Sequence, residues 1–240
     1  MSVSSQFVLY SDIVPVDRDV FLGQSVQPPE DYIFAANVNS VPLTGFEFPM
    51  ALRDYPIVFV GGEGGQYMPA VMLGVKSDEN LFVSRKGQWL GKYIPMYIRQ
   101  YPVMAAEMPD EDKVTICIDR SVVGKQNDEP LFDAQGKETS WLSTMSAIAA
   151  EYLAHMQKTM AFCRRLASMN LIVPLNPELN NTKTGNITRI EGLYAIDEQR
   201  LNGLSDSDAV NLFRNGDLAW IYLHLASLIN FSDLANRKKS

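Results

Sequence analysis

Three charged side chains interrupt otherwise apolar stretches of this 240-residue sequence, and each is a candidate for binding chemistry. Glu47 lies within GFEF, Arg99 within YIPMYIRQYP, and Asp119 at the end of VTICID. A charge among apolar neighbours must be paired or hydrogen-bonded, because isolating it from water is costly. One interpretation is a structural arginine–carboxylate pair that ties a helix to a sheet. The other is a pocket in which Arg99 receives the carboxylate or amide of a ligand.

Tyrosines surround this arginine at a regular spacing. Tyr93, Tyr97 and Tyr101 recur every four residues, which would place them near one face of a helix. Pro95 suits the start of that helix and Pro102 ends it. Tyrosine rings beside an arginine can pack on a bound ligand, whereas no residue is assigned a catalytic role. The predicted ligand-binding residues are Glu47, Tyr93, Tyr97, Arg99 and Asp119.

The cysteines and histidines do not form a recognisable reactive set. Alternation along a strand places Cys117 on the same face as Asp119, and a nucleophilic role would also need a base. Cys163 lies on the apolar stripe of a long helix, where a free thiol is an ordinary core residue. His155 and His224 lie on helices without acidic or cysteine ligands at suitable spacing, so no metal site is predicted.

A cluster of glycines, GGEGG at residues 61–65, raises the question of a phosphate-binding loop. Such a loop needs a helix directly after the glycines, and the Walker pattern also needs a lysine with serine or threonine. The residues that follow are QYMPAVMLGV, whose proline and β-branched residues are typical of a strand. We therefore predict a β-hairpin with a glycine loop, and no cofactor.

The composition limits the partners and the location of the protein. The formal net charge is −7 and 46% of the residues are hydrophobic. This apolar content is typical of a globular protein, and the acidic surface disfavours nucleic acid and anionic lipid as partners. The N-terminus lacks the pattern of a secretory signal, and no stretch approaches the ~20 apolar residues of a membrane span. We therefore expect a cytoplasmic protein without membrane insertion, and the oligomeric state is left open.

The coarse pattern predicts strands first and helices afterwards. The segments with strand character are residues 31–38, 56–60, 66–75, 80–84, 114–120 and 187–197. The predicted helices are a short one over Pro49–Asp54, a long amphipathic one over Trp141–Asn170, one capped by Asp197, one beginning at Ser205, and a last one from Asp217 to about Ala235.

This order predicts an α+β fold. A mainly antiparallel sheet in the N-terminal half is covered by long helices from the C-terminal half. Residues 1–30, which include the adjacent prolines of QPPE, are expected to form an extended N-terminal arm. Residues 31–240 are expected to form a single domain, with a subdivision near residue 138 as the alternative.

Several ordered segments resemble the SapC family, which takes its name from a surface-layer-associated protein and is distinct from the transport permease of the same name. These segments include YPIVFV, PAVMLGV, NLFVSRKGQWLGKYIPMYIRQYPV, ICIDR, PLFDAQGK, GLYAIDEQRLNGL and LFRNGDLAWIYLHLASLINFSDL. The resemblance runs from about Tyr32 to the C-terminus, and it departs from the family pattern at Val103, where phenylalanine is common. It implies a soluble bacterial protein whose relatives are often encoded near TonB-dependent receptors and tryptophan-halogenase-like proteins. It supplies no catalytic residues.

Three functions remain open from the sequence. The first is a non-catalytic binding or accessory protein that recognises a peptide, an amino-acid-derived ligand or a partner protein. The resemblance implies a link to TonB-dependent uptake or tryptophan-halogenase-like systems. The second is an enzyme acting on a peptide or amino acid derivative, using Cys117 or the carboxylates of Glu47 and Asp119. The third is a structural component of a surface layer. The absence of a metal set, a triad or a cofactor loop favours the first.

Overall fold

The structure is a computed structural model, and it describes residues 9–61, 66–107, 113–124, 129–182 and 184–237. The strands are β1 (Ile13–Pro15), β2 (Ser25–Val26), β3 (Ser40–Pro42), β4 (Ile57–Gly61), β5 (Tyr67–Met72), β6 (Val103–Glu107), β7 (Val114–Asp119), β8 (Glu129–Pro130), β9 (Ile172–Leu175), β10 (Glu178–Asn180), β11 (Ile187–Arg189) and β12 (Leu193–Ile196).

The α-helices are mostly short until the middle of the chain. They are α1 (Arg18–Phe21), α2 (Phe48–Ala51), α3 (Met96–Arg99), α4 (Ser140–Ser168), α5 (Glu198–Asn202), α6 (Asp206–Arg214), α7 (Asp217–Ser227) and α8 (Asn230–Asn236). Single turns of 3-10 helix occur at Ile33–Ala35, Gly45–Glu47 and Arg120–Val122.

Two main sheets form the framework, and their strand pairs are antiparallel. The larger sheet has the order β3-β5-β4-β12-β9, and the smaller has the order β1-β7-β6. Helix α4 packs against β5 of the larger sheet and against β6 and β7 of the smaller one. Helix α7 packs on β4 and β12. The α+β class is therefore confirmed, with strands β9 and β12 from the C-terminal half completing the larger sheet.

The glycine-rich hairpin is also confirmed as far as the structure describes it. Strands β4 and β5 pair along their length, from Ile57 opposite Val71 to Gly61 opposite Tyr67. The segment after the glycines is thus a strand and not the helix that a phosphate loop requires. Residues 62–65, the predicted loop itself, lie outside the described residues.

The predicted strand over residues 31–38 is wrong. Its aromatic side chains do not alternate between the two faces of a sheet. They pack against other aromatic rings. Tyr32 lies edge-on to Trp89 with ring centroids 5.5 Å apart, and Phe34 stacks on Tyr101 at 4.6 Å. Aromatic pairs in these geometries stabilise beyond their buried area, so ring packing decides the local structure here.

The predicted strand over residues 80–84 is wrong as well. With the described residues, the segment makes a single β-bridge, from Val83 to Trp89. The buried amide of Asn80 donates to the carbonyl of Ala35 at 2.9 Å and accepts the N–H of Phe82 at 2.8 Å. An asparagine that bonds to the backbone in this way stabilises a turn in place of a ladder.

Several predicted elements exist with different boundaries. Helix α2 ends at Ala51, and the tyrosine-rich helix is the single turn of α3, so Tyr93 precedes it. The last predicted helix is divided into α7 and α8. The hydroxyl of Ser227 donates to the carbonyl of His224 at 2.6 Å, which competes with the helical backbone at that point. The segment 187–197 is divided into β11 and β12.

The N-terminal arm contributes strands to the framework. Strand β1 pairs with β7, with Ile13 opposite Asp119, and β2 pairs with β8. The largest group of buried hydrophobic side chains extends from Leu9 to Ala235 and so includes residues on both sides of position 138. The arm and the C-terminal helices therefore bury side chains in one common core.

One helical stretch is long and apolar enough, by length and composition only, to cross a membrane. It is Asp217–Asn236, and 39% of its most apolar window is buried inside the protein. The stretch also carries polar side chains that bind other elements. Asp217, 2% exposed, accepts two hydrogen bonds of 2.7 Å from Arg165. The amide of Asn230 donates to the carbonyls of Leu52 and Tyr55.

A buried histidine joins α7 to the larger sheet. The Nδ1 of His224 lies 2.9 Å from the carbonyl oxygen of Ile57, and its Nε2 accepts the N–H of Ile196 at 3.2 Å. The paired residues of β4 and β12 are Val60 with Leu193 and Phe59 with Tyr194, and continuing this register by two residues would bring Ile57 opposite Ile196. The imidazole thus stands where a direct ladder bond would form. Neutral His224 with a proton on Nδ1 satisfies both backbone groups.

The two hydrogen-bond contacts of buried His224 predict that the free energy of unfolding depends on pH. Burial lowers the pKa of His224 from 6.5 to about 4. The unfolded state therefore binds this proton at a higher pH than the folded state does. The free energy of unfolding is highest above the unfolded pKa of 6.5 and falls as the pH decreases toward the folded value of about 4. We expect urea denaturation to show a loss of about 3 kcal/mol between pH 6.5 and 4 from this group.

The control is His224→Gln, whose amide does not titrate. Subtracting its unfolding free energies from those of the wild type removes the contributions of all other groups that titrate in both proteins. The unfolding free energy of the wild type minus that of His224→Gln should fall as the pH decreases from 6.5 to about 4. Parallel profiles for the two proteins would contradict the assignment.

Candidate functional site

The carboxylate of Glu47 is 1% exposed and receives four hydrogen bonds. Its Oε2 accepts the N–H and the hydroxyl of Thr44, both at 2.9 Å. Its Oε1 accepts the hydroxyl of Tyr93 at 3.0 Å and the N–H of Met96 at 2.7 Å. Met96 is the first residue of α3, so this carboxylate caps the helix as well as its own 3-10 turn.

Burial raises the pKa of Glu47 above its usual value, and the four hydrogen bonds act in the opposite direction. The structural arginine–carboxylate pair, one of the two interpretations of the sequence, does not form between Arg99 and Glu47. Instead, the Nη2 of Arg99 donates to the hydroxyl of Tyr93 at 3.3 Å, and that hydroxyl donates to Glu47. The three predicted residues therefore form a relay in which Tyr93 stands between the buried negative charge and the exposed positive one.

Backbone contacts fix the position of Tyr93. Its N–H donates to Asp54 at 3.1 Å, and its carbonyl accepts from the indole of Trp89 at 3.0 Å and from the hydroxyl of Tyr55. Burial, followed by the charge of Glu47, raises the pKa of the Tyr93 phenol, so this group stays protonated and can donate.

Arg99 presents its guanidinium to solvent from the end of α3. Its Nε donates to the carbonyl of Ile94 at 3.0 Å, and its Cζ lies 5.7 Å from the centre of the Tyr93 ring. In the described part of the chain it forms no ion pair. The arginine is thus held in place by neutral groups, and its charge is available to a ligand.

A cleft of about 250 Å³ opens beside this arginine, here called the Arg99 cleft. It lies between the N-terminal arm, α3 and the first turns of α4. Its walls carry one cation, two carboxylates and several aromatic rings. The lining residues are 28–32, Phe34, Ile98, Arg99, Tyr101, Trp141 and Met145.

The structure separates the predicted binding residues into two groups. Glu47, Tyr93 and Arg99 are connected by hydrogen bonds, and among the predicted residues Arg99 lines the cleft directly. Tyr97 is 3% exposed and packs edge-on to the ring of Tyr10 within the core. Asp119, also predicted, lies away from this relay.

Asp119 is buried at the end of β7 and is fully engaged by the chain itself. Its carboxylate accepts backbone N–H groups of Ser11 at 2.8 Å, Asp12 at 3.2 Å and Ser121 at 3.0 Å. Burial alone would raise its pKa, but these hydrogen bonds hold the pKa of Asp119 below its usual value. The hydroxyl of Tyr101 lies 3.5 Å from the same carboxylate, so Asp119 supports one wall of the cleft from behind.

Sequence reasoning missed several residues of the cleft lining. It places Glu30 in the extended arm, Asp31 in the predicted strand over residues 31–38, and Trp141 on the apolar stripe of the long helix. The available signal was the combination of adjacent carboxylates with aromatic residues in QPPEDYIF. Long-range proximity to Arg99 could not be inferred from it, since about seventy residues separate the two segments.

The structure gives no support to Cys117 as a nucleophile. The side chain is 3% exposed, and burial raises the pKa of its thiol. A reactive cysteine requires the opposite conditions, an accessible thiol with a lowered pKa. Cys163 is a core residue as predicted, and burial raises its pKa to about 12. Among the described residues, no group of three His, Cys, Asp or Glu side chains could hold a metal ion.

We expect Glu47→Gln to destabilise the protein by about 2–3 kcal/mol, because an amide NH₂ would face a backbone N–H that now donates to the carboxylate. Glu191→Gln is the matched control, since Glu191 is exposed. Urea denaturation at neutral pH measures both variants. A Glu47→Gln variant as stable as the control would show that the four hydrogen bonds contribute little.

Both thiols should resist modification in the folded protein. With an aromatic disulfide reagent at pH 8, labelling should be slow in buffer and fast in urea, because both cysteines are buried and their thiol pKa values are raised. A Cys163→Ser variant isolates the signal of Cys117. Rapid labelling of that single thiol in buffer would revive the nucleophile hypothesis.

Comparisons with known proteins place the chain in a family. The SapC family model matches residues 17–234, a range that begins further toward the N-terminus than the sequence segments indicated. No curated protein and no solved structure matches the chain. Because the family match covers nearly the whole chain, including all five predicted binding residues and the walls of the Arg99 cleft, the protein belongs to the SapC family.

Proposed function

We propose that the protein is a non-catalytic binding or accessory protein, and that its Arg99 cleft recognises a free amino acid or the end of a peptide. The observation that carries this proposal is a cleft lined by aromatic rings, by two carboxylates and by an arginine that forms no ion pair with any described residue. A zwitterion presents the complementary pair of charges. We further propose that the protein acts in the cytoplasm.

Arg99 supports recognition of the carboxylate. A guanidinium has five N–H donors, and two of them are engaged, by Ile94 and Tyr93. The other three N–H donors have no hydrogen-bond partner among the described residues and remain available to a ligand. Because the two internal bonds fix the plane of the guanidinium, less side-chain entropy is lost when a carboxylate binds.

Glu30 and Asp31 support recognition of an ammonium group. Both are exposed at the cleft wall, and one oxygen of Asp31 accepts the N–H of Ile33 at 2.8 Å. That bond orients the carboxylate and leaves its second oxygen for a cation. A single carboxylate at an exposed position binds an ammonium group weakly. Two carboxylates beside aromatic walls therefore favour selectivity over high affinity.

The aromatic walls support recognition of an apolar or aromatic side chain. Tyr101 stacks on Phe34, and Trp141 lines the same cleft. Rigid rings provide large contact areas with few degrees of freedom to immobilise. The cleft volume of about 250 Å³ suits a ligand of amino acid size.

Calorimetric titration with the standard amino acids tests this proposal. An amino acid with an apolar or aromatic side chain should bind, and its N-acetyl and C-amide derivatives should bind about tenfold more weakly, because each loses one charged contact. Arg99→Ala should weaken binding by a similar factor while lowering stability only slightly, since Arg99 is exposed and its two hydrogen bonds lie at the surface.

Arg214→Ala is the matched control, because Arg214 is exposed on α6 and does not line the cleft. Its affinity for the same ligand should equal that of the wild type. Equal affinities of the wild type and a folded Arg99→Ala variant would overturn the proposal, as would a panel without any binding amino acid or peptide.

A further inference from the structure

A second cavity, of about 290 Å³, lies on the other side of α3. It is bounded by strand β6, by helix α4 and by the edge of the larger sheet, and it is called here the methionine slot. Residues 104–107 form one wall, with Leu153 and Met156 on the helix and Met68 on the sheet. We propose that the methionine slot binds a small, mainly apolar molecule that carries a hydroxyl or N–H donor.

The donor is required by the amide of Gln100. This side chain lines the slot and is 2% exposed, and its Oε1 is buried without a hydrogen-bond partner. Buried polar atoms in folded proteins are nearly always satisfied, so an orphaned carbonyl oxygen beside a cavity indicates a missing donor.

The orientation of the amide follows from its neighbour Tyr10. The hydroxyl of Tyr10 interacts with the Gln100 side chain and donates its proton to the carbonyl of Val103 at 3.1 Å. Because the single proton of this hydroxyl is already donated, its oxygen can only accept a further hydrogen bond. It therefore faces the NH₂ of Gln100, and the amide oxygen is left for another partner. The unpaired acceptor is thus a consequence of the Tyr10–Val103 bond.

The remaining lining determines the apolar character of the ligand. Met68, Met104 and Met156 contribute flexible, polarisable side chains that adapt to varied apolar shapes. The charged residue of the lining, Glu107, is exposed and already accepts a hydrogen bond from Gln157. The slot is also lined by Tyr97 and Tyr152, which carry phenol hydroxyls, and the described lining contains no cation. An anionic group on the ligand would therefore be desolvated without a countercharge.

The methionine slot is independent of the Arg99 cleft. The two cavities have no lining residue in common, although Arg99 and Gln100 are adjacent in the chain. The inference therefore does not rest on the proposed recognition of amino acids, and each of the two can fail without the other.

Methyl-labelled methionine provides a direct test by NMR. Met68, Met104 and Met156 report on the slot, Met145 on the Arg99 cleft, and exposed Met50 on neither. Titration with 4-ethylphenol should move the signals of the three slot methionines and leave those of Met145 and Met50 in place. Ethylbenzene, which lacks the hydroxyl, should bind about tenfold more weakly, the order expected for one hydrogen bond.

Two variants separate the components of the proposal. Ala106→Leu fills the slot and should abolish the shifts, whereas Ala150→Leu, at an exposed position of α4, should not. Gln100→Leu should remove the preference for the phenol over ethylbenzene. Unmoved slot signals, equal affinities for the two probes in the wild type, or shifts that persist in Ala106→Leu would each overturn the proposal and leave a water-filled cavity.

Discussion

The buried carboxylate of Glu47 is the interaction on which the arrangement of the site depends. It holds the turn beginning at Thr44 and the first residue of α3 through four hydrogen bonds. Gly45 in the same turn donates to Thr159 of α4 at 2.9 Å, and a Cβ at this glycine would lie 2.4 Å from the ring of Trp220. A side chain there would force the helices apart, so the turn is a junction of α3, α4 and α7.

Polar side chains also fasten the C-terminal helices to the larger sheet. His224 and Ser227 of α7 bind both backbone groups of Ile57, while the Arg165–Asp217 pair joins α7 to α4. Buried polar contacts of this kind specify one orientation of a helix, whereas apolar contacts alone tolerate several. The helices therefore hold α4 in a defined position, and α4 in turn supplies a wall to each cavity.

The single turn of α3 gives the protein two different surfaces. Arg99 faces a polar, aromatic cleft that is open to solvent, and the next residue, Gln100, lines an apolar slot between the two sheets. The relay from Glu47 through Tyr93 positions the first, and the Tyr10–Val103 contact orients the second. A protein that binds two chemically distinct ligands, or two parts of one larger ligand, would use this division.

The sequence by itself determined the α+β class, the long amphipathic helix, the antiparallel hairpin and the family, because periodicity and local turn chemistry are recorded in neighbouring residues. It also identified Glu47 and Arg99 as unusual charges. Only the tertiary structure decided that Tyr93 connects them, that Asp119 binds backbone N–H groups of the arm, and that Glu30 and Arg99 line the same cleft. It likewise replaced the strand predicted around Phe34 with ring packing. These features depend on contacts between distant segments, and local propensity contains no information about which distant partner a side chain will meet.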